Sequence, residues 1–366
     1  MEDPEQKPLL LDFAKQMPKV ELHAHLHGCV RPETLLDLAA ARGFKMAPEQ
    51  QRALRPGGDR SLSDCFKIFD VIHSVVSDLA AVRRITLETL QDMRGHNVRY
   101  VELRTTPRVL ADGTSRQDYI EAVLRVLRDF ETAGNTSETR DELSRGEGSS
   151  GLIPRLLLSI DRGRTVDDAM VVAKLAVKLR RNELWGAYVV GVDFSGNPTK
   201  GAFEDFRPAL ELARSGGLKV TAHCGEVPND SEFSAVVRFR PDRLGHAVVL
   251  GEEAREALLS ARPPIPIEVC PTSNLLTLAL SDHREHPTVR SWIEEGYPFS
   301  VNTDDPGVFD TDLPAEFVHA AASNGMDEES MARLACRAVQ DIFDEALIPS
   351  LSESFRRECE ALLRRP

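Results

Sequence analysis

Four histidines and a few carboxylates in this 366-residue chain fall where they could do chemistry together. His23 and His25 lie two apart in the apolar run Lys19-Val20-Glu21-Leu22-His23-Ala24-His25-Leu26, and alternation along a strand sends both imidazoles to one face. His223 and Glu226 close another apolar run over residues 218–224, His246 falls in a short run over about 244–250, and Asp304 and Asp305 close a run over 299–303. Taken alone, each piece has a bland reading. An H-x-H in a strand is more often core hydrogen bonding than a metal site, and Asp-Asp before Pro306-Gly307 is usually a turn. Together, imidazole nitrogens and a carboxylate suit a borderline-soft divalent cation, zinc above all. Three or four protein ligands leave a position for water, whose pKa the metal lowers from ~15.7 towards ~7, giving hydroxide at neutral pH. The expected ligands of one zinc per chain are His23, His25, His223 and Asp304, with His246 and Glu226 beside them.

Such residues need a scaffold that gathers distant strand ends. Eight short apolar, β-branched runs alternate with helical patterns, at residues 19–26, 98–105, 154–160, 188–194, 218–224, 244–250, 266–270 and 299–303. The runs are continuously apolar, as in a parallel sheet covered on both faces. Pro32 and Gly43 punctuate the first helix, Thr165-Val166-Asp167-Asp168 reads as a capping box, and Gly216-Gly217 ends the helix before the fifth run. The pattern predicts an α/β fold of the (β/α)₈ TIM-barrel type with extra helices, whose catalytic groups come from the C-terminal ends of several strands. A doubly wound open sheet has the same periodicity. The whole of residues 1–366 is expected to be one domain. Residues 133–151, rich in Gly, Ser, Thr and charge, are expected as a mobile surface insertion, and residues 327–365 as helix outside the barrel.

Composition narrows the partners. With 45 Lys+Arg against 58 Asp+Glu, the formal charge of −13 would repel a nucleic-acid polymer, while a few local cations can still bind one phosphate. Hydrophobic residues make up 42%, enough for a large core. The six cysteines lack C-x-x-C spacing and read as reduced, mostly buried thiols. The acidic N-terminal stretch resembles neither a signal nor a transit peptide, and no apolar run reaches the ~18 residues that span a bilayer. The expectation is a cytosolic monomer acting on a small molecule, away from membranes. Among the remaining imidazoles, His96, His283, His286 and His319 read as structural or solvated. His73 lies on an amphipathic helix and is either a core histidine or a lid contact to substrate.

The motifs Leu22-His23-Ala24-His25-Leu26, Ser195-Gly196-Asn197-Pro198, His223-Cys224-Gly225-Glu226, Leu244-Gly245-His246, Cys270-Pro271-Thr272-Ser273-Asn274 and Thr303-Asp304-Asp305 resemble, in order, those of the adenosine/AMP deaminase family. Glu102-Leu103-Arg104-Thr105-Thr106-Pro107-Arg108, Leu158-Ser159-Ile160-Asp161-Arg162 and Gly225-Glu226-Val227-Pro228-Asn229 are similar to its adenosine deaminase-like branch, the N6-methyl-AMP deaminases of plant type. The resemblance implies that His23, His25, His223 and Asp304 hold zinc, that Glu226 protonates ring N1, and that His246 acts as base on the bound water or orients it. It also implies that Asp305 bonds N7 and the Gly196 N–H bonds N3. The reaction implied is hydroxide attack at C6, turning N6-methyl-AMP into IMP and methylamine. Phosphate contacts are expected from Thr105, Thr106, Pro107 and Arg108 after the second strand and from Asp161 and Arg162 after the third. His25, His27 and His73 complete the substrate-facing set. His27 departs from the Asn or Asp usual in the family, and a histidine there can donate to a phosphate. The fourth strand ends in Asp193-Phe194-Ser195-Gly196 without a bridging lysine, which argues against a two-metal site. Other readings are a plain adenosine deaminase, a zinc hydrolase of another nucleobase, and an inactive purine-nucleotide-binding protein. The last has no need to keep both the ligands and Glu226.

Overall fold

The computed structural model describes residues 6–55, 60–134 and 151–365. Its eight strands pair in parallel in sequence order: β1 (Lys19–His25), β2 (Val98–Thr105), β3 (Ile153–Asp161), β4 (Val189–Ser195), β5 (Lys219–Cys224), β6 (Arg243–His246), β7 (Ile267–Val269) and β8 (Phe299–Val301). Ala24 bridges Asp304 and completes the ring. There the His25 N–H donates to Asp304 O at 2.9 Å and the Asp304 N–H to His23 O at 2.8 Å. This order is that of a (β/α)₈ barrel and excludes the doubly wound sheet, in which the first strand lies inside the sheet. β2 is buried along its whole length, as the apolar runs require of strands covered by helices outside and side chains inside.

Local chemistry sets the connections. Pro32 occupies the first turn of the helix Pro32–Ala41, and Gly43 just beyond it takes a φ of +62°. Ser61 and Asp64 cap the helix Leu62–Val75 reciprocally, and Thr165 Oγ1 accepts the Asp168 N–H at 3.1 Å. β6 stops four residues short of its apolar run and β8 two residues short. β6 ends because His246 and Ala247 turn into the left-handed region at φ of 65° and 51°. After β8, Asp304 does the same at 62°. Non-glycine residues pay for this conformation, and it often marks functional positions. Here it lifts two side chains out of the strand alternation and into the barrel mouth.

The barrel interior is layered. At its N-terminal end Val20, Leu22 and Tyr100 pack against Val339, Ile342 and Phe355. The C-terminal helices Glu328–Ala338 and Ile348–Leu363 thus plug the bottom of the barrel. Above the plug sits a buried charged layer. Arg243 donates to Glu102 and, at 2.6 Å, to Glu268 Oε1. Arg104 donates to Asp193 Oδ1 at 3.1 Å and to Glu268 Oε2 at 2.9 Å. The histidines come next, at the mouth. Of the expected insertion, the helix Arg116–Gly134 reaches the first residues, and residues 135–150 lie outside the described residues. All six cysteines are free thiols, five of them buried. Among the described residues no helix is long and apolar enough to cross a membrane.

Candidate metal and active site

β1 delivers His23 and His25, β5 delivers His223, and the turn after β8 delivers Asp304. One ligand atom from each lies within 4.8 Å of the others. His23 Nε2 and His25 Nε2 are each 3.4 Å from Asp304 Oδ1. Second partners fix which nitrogen of each ring faces the centre. His23 Nδ1 donates to Glu268 Oε2 at 2.7 Å, and His223 Nδ1 lies 3.0 Å from Asp193 Oδ1 and 3.1 Å from Phe194 O. Both rings therefore aim an Nε2 lone pair inward, the arrangement carboxylates impose on metal-binding histidines. Ser273 Oγ donates to Asp304 Oδ2 at 2.7 Å.

The residues fit a cation. His23 Nε2 is buried without a hydrogen-bond partner. His25 Nε2 and His223 Nε2 face each other at 3.3 Å, and two lone pairs at that distance need a proton or a cation between them. Desolvation pushes His25 down to about 3, so it stays a neutral ligand. Burial would raise the Asp304 carboxyl, but the imidazoles of His23, His246 and His25 around it hold it well below the usual range. Three nitrogens and one oxygen, buried and convergent, make a set that zinc favours.

Glu226 and His246 face the same volume. His246 Nε2 is 4.0 Å from Glu226 Oε1 and 3.9 Å from Asp304 Oδ2. Glu226 Oε2 has no partner, and desolvation raises its carboxyl above the ordinary glutamate value. Burial also pushes His246 well down, leaving it neutral. Asp305, buried beside Asp304, is raised well above the usual aspartate range, first by desolvation and then by the Asp304 charge. Its Oδ1 is unpartnered. It rests on Gly28, where an added Cβ would stand 1.7 Å from that oxygen, so only glycine fits.

A second group gathers beside the first. His27 Nε2 is buried and unpartnered, and its ring centroid is 6.2 Å from that of His73. Arg108 Nη1 meets His73 Nδ1 at 3.0 Å, and Arg108 Nε is unpartnered. Thr105 Oγ1 is bonded to Tyr119 OH at 2.6 Å, and that hydroxyl is 3.5 Å from His27 Nδ1. Thr105 thus reaches the pocket through Tyr119, while Thr106 and Pro107 lie in the irregular segment between it and Arg108. Arg108 supplies the positive charge; burial and that charge push His27 and His73 down, so they stand beside it as neutral imidazoles, and the three together can hold an anion. Gly196 has a φ of +101°, and a Cβ there would stand 2.3 Å from Asp161 Oδ1, which ties these two residues together. Arg162 does not join the group. Its guanidinium is buried against Glu232 at 2.8 Å and the carbonyls of Lys200 and Gly201, so its donors are spent on holding the loop after β4.

Several residues here escape motif reading. Tyr119 is one, and Glu268 and Asp193 behind the ligand histidines are others. Their only linear signal is a charge inside an apolar strand. Asn274, which falls in the motif Cys270–Asn274 without a role assigned to it there, pairs with His286: His246 Nδ1 lies 3.0 Å from Asn274 Nδ2, and His286 Nε2 lies 3.2 Å from Asn274 Oδ1. His286, expected to be structural or solvated, is buried in contact with the site's own support.

Comparison with known proteins agrees with this geometry. The family model described as adenosine deaminase matches residues 18–347. An Arabidopsis thaliana protein named N6-mAMP deaminase is 39% identical over 346 residues, covering 92% of this chain and 95% of the relative. A Danio rerio N6-methyl-AMP deaminase is 34% identical, covering 89% and 90%. The crystal structure of arabidopsis ADAL complexed with IMP superposes with a TM-score of 0.80 at 36% identity, covering 96% of this chain and 98% of that one.

Proposed function

Because this chain belongs to the adenosine deaminase family, and is therefore a hydrolytic deaminase, we propose that it converts N6-methyl-AMP to IMP and methylamine in a zinc-dependent reaction. The relatives named for that substrate, and the related structure holding IMP, support the choice of nucleotide. So does the Arg108 guanidinium beside His27 and His73, which a nucleoside would leave without a counter-charge.

When bound among His23, His25, His223 and Asp304, zinc supplies the Lewis acidity that makes water nucleophilic near neutral pH. The chain's own residues do the rest. Glu226, whose carboxyl desolvation raises above the ordinary glutamate value, gives its proton to ring N1 and makes C6 electrophilic. Asp305 also keeps its proton, so it can donate to N7, which only accepts. The Gly196 N–H addresses N3. His246 faces the attacking water as base or as orienting donor. Arg108 and His27 hold the 5′-phosphate, with Thr105, Thr106, Pro107, His73 and Asp161 around them. Attack at C6 followed by loss of methylamine leaves the hypoxanthine ring.

The observation that carries this reading is a partnerless, desolvated Glu226 beside a convergent three-histidine, one-aspartate set. The reading includes a single deaminase domain and a cytosolic monomer that binds neither polymer nor membrane. Its test is an assay of purified protein on N6-methyl-AMP, AMP and adenosine, with and without a chelator. Preference for N6-methyl-AMP that is lost with chelator and restored by zinc is expected. Equal or better turnover of adenosine would overturn the nucleotide assignment.

A further inference from the structure

His246 is the one side chain to which the proposed reaction leaves two roles, base or orienting donor. We infer that a hydrogen-bonded chain from the backbone amides of Thr288 and Val289, through His286 and Asn274, fixes the hydrogen of His246 on Nε2, so that His246 meets the attacking water as a donor. Its positioning residues are His286 and Asn274. The inference rests on the deamination reading only for what His246 faces; the hydrogen's place follows from the contacts alone.

The chain starts at a helix. Thr288 and Val289 begin the helix Val289–Glu295, whose first N–H groups have no partner within it. Both donate to His286 Nδ1, at 3.4 and 3.3 Å. A backbone N–H can only donate, so Nδ1 carries a lone pair. Burial pushes His286 down to about 4, which leaves a neutral ring whose one hydrogen is on Nε2. That hydrogen points at Asn274 Oδ1, 3.2 Å away. The amide is thereby oriented, with its NH₂ towards His246 Nδ1 at 3.0 Å. An amide nitrogen has no lone pair to offer, so His246 Nδ1 must accept, and its hydrogen sits on Nε2. Nε2 points into the volume between Glu226 and Asp304.

The opposite tautomer would need Asn274 turned over, which sets its NH₂ against the His286 Nε2–H. Turning His286 as well would only move the clash to the two backbone amides, which cannot reverse. His246 and Asn274 are buried and His286 nearly so, so no bulk water is at hand to exchange one pattern for the other. The three side chains come from β6, the helix Pro271–Thr277 and the short turn His283–Glu285 with its following residue, so the arrangement belongs to the fold.

The test is heteronuclear NMR of histidine nitrogens in the full-length protein with its resident metal, near neutral pH, with His246 assigned by the signal missing in His246→Gln. A protonated Nε2 and a bare Nδ1 are expected; a protonated Nδ1 overturns the inference. Asn274→Asp supplies a carboxylate that accepts from both neighbours and should move the His246 hydrogen to Nδ1. In that variant kcat should fall by about 10-fold or more with KM changed less than about twofold, the size of effect typical of supporting residues. A moved hydrogen with kcat unchanged would overturn the donor role. If that variant does not fold, the wild-type signal alone still decides. A chain inactive on every purine that nevertheless shows the Nε2–H form would sink the deamination reading and leave the tautomer assignment standing.

Discussion

Glu268→Gln is the substitution that probes how the barrel interior holds its site. The Glu268 carboxylate accepts four hydrogen bonds, from Thr221 Oγ1 at 2.9 Å and Arg243 Nε at 2.6 Å on Oε1, and from His23 Nδ1 at 2.7 Å and Arg104 Nη2 at 2.9 Å on Oε2. Burial opposes its charge, but Arg104 and Arg243 keep it ionised, well below the usual glutamate range. Glutamine replaces one oxygen with an NH₂. With the NH₂ on the Oε2 side, the His23 Nδ1–H and Arg104 both face a donor; on the Oε1 side Arg243 does, while the Thr221 hydroxyl can turn to accept; either way both guanidiniums lose their counter-charge. Each lost bond to a charged group is worth about 1.5–3 kcal/mol, so the cost is about 3–6 kcal/mol, in line with breaking a buried ion pair. That is a large share of the roughly 5–15 kcal/mol that stabilises a typical domain. In a protein of this size it lowers Tm by about 4–8 °C. If the NH₂ faces His23, the imidazole loses the acceptor that sets its tautomer, and metal affinity falls by about 10- to 100-fold. Differential scanning fluorimetry at matched scan rates and a competitive metal-chelator titration read the two effects. A Tm within about 2 °C of wild type would refute the reasoning about the charged layer.

Other expectations follow from the same geometry. Glu226→Gln should keep its metal and lose about 10²- to 10⁴-fold in kcat; wild-type activity should fall as pH rises through the raised Glu226 pKa, because the protonated form is the active one. A metal-replete Glu226→Gln with wild-type turnover would remove the acid role. Arg108→Ala should weaken kcat/KM by about 10- to 100-fold for nucleotide and much less for nucleoside, the range of one or two charged hydrogen bonds; equal losses would rule out a phosphate contact. Glu316 accepts from Thr272 N–H and Thr311 Oγ1, and burial raises its carboxyl to about 7. Folding therefore favours its protonated form. That contribution is complete below the unfolded value of 4.5 and is lost as pH rises towards 7. Glu316→Gln should flatten the fall in Tm across that interval, and an unchanged slope would count against a raised pKa. Gly28→Ala puts a methyl 1.7 Å from Asp305 Oδ1 and should abolish activity through displacement of Asp305; full activity would show that the two are not packed as described.

The barrel and its metal set were legible because they depend on local rules. Two-residue alternation brings His23 and His25 to one face, and eight apolar runs with helices between them dictate strand ends that converge. What escaped depends on contacts between distant segments. Glu268 lies 245 residues from His23, and Asp193 is a lone charge inside the apolar strand β4, with nothing nearby to name its partner. Arg162 shows the reverse error. A cation just after a strand looks like a phosphate donor, yet Glu232, 70 residues on, takes it. His286 looks like a loop histidine until the fold sets it against Asn274. The end of β6 was overdrawn because an apolar run gives no sign that His246 will take left-handed backbone.

The most direct measurement is anomalous diffraction from crystals of the purified protein at the zinc absorption edge. A single peak per chain is expected, within coordination distance of His23 Nε2, His25 Nε2, His223 Nε2 and an Asp304 oxygen. No peak there, or a peak bound by other residues, would contradict the assignment on which the chemistry depends.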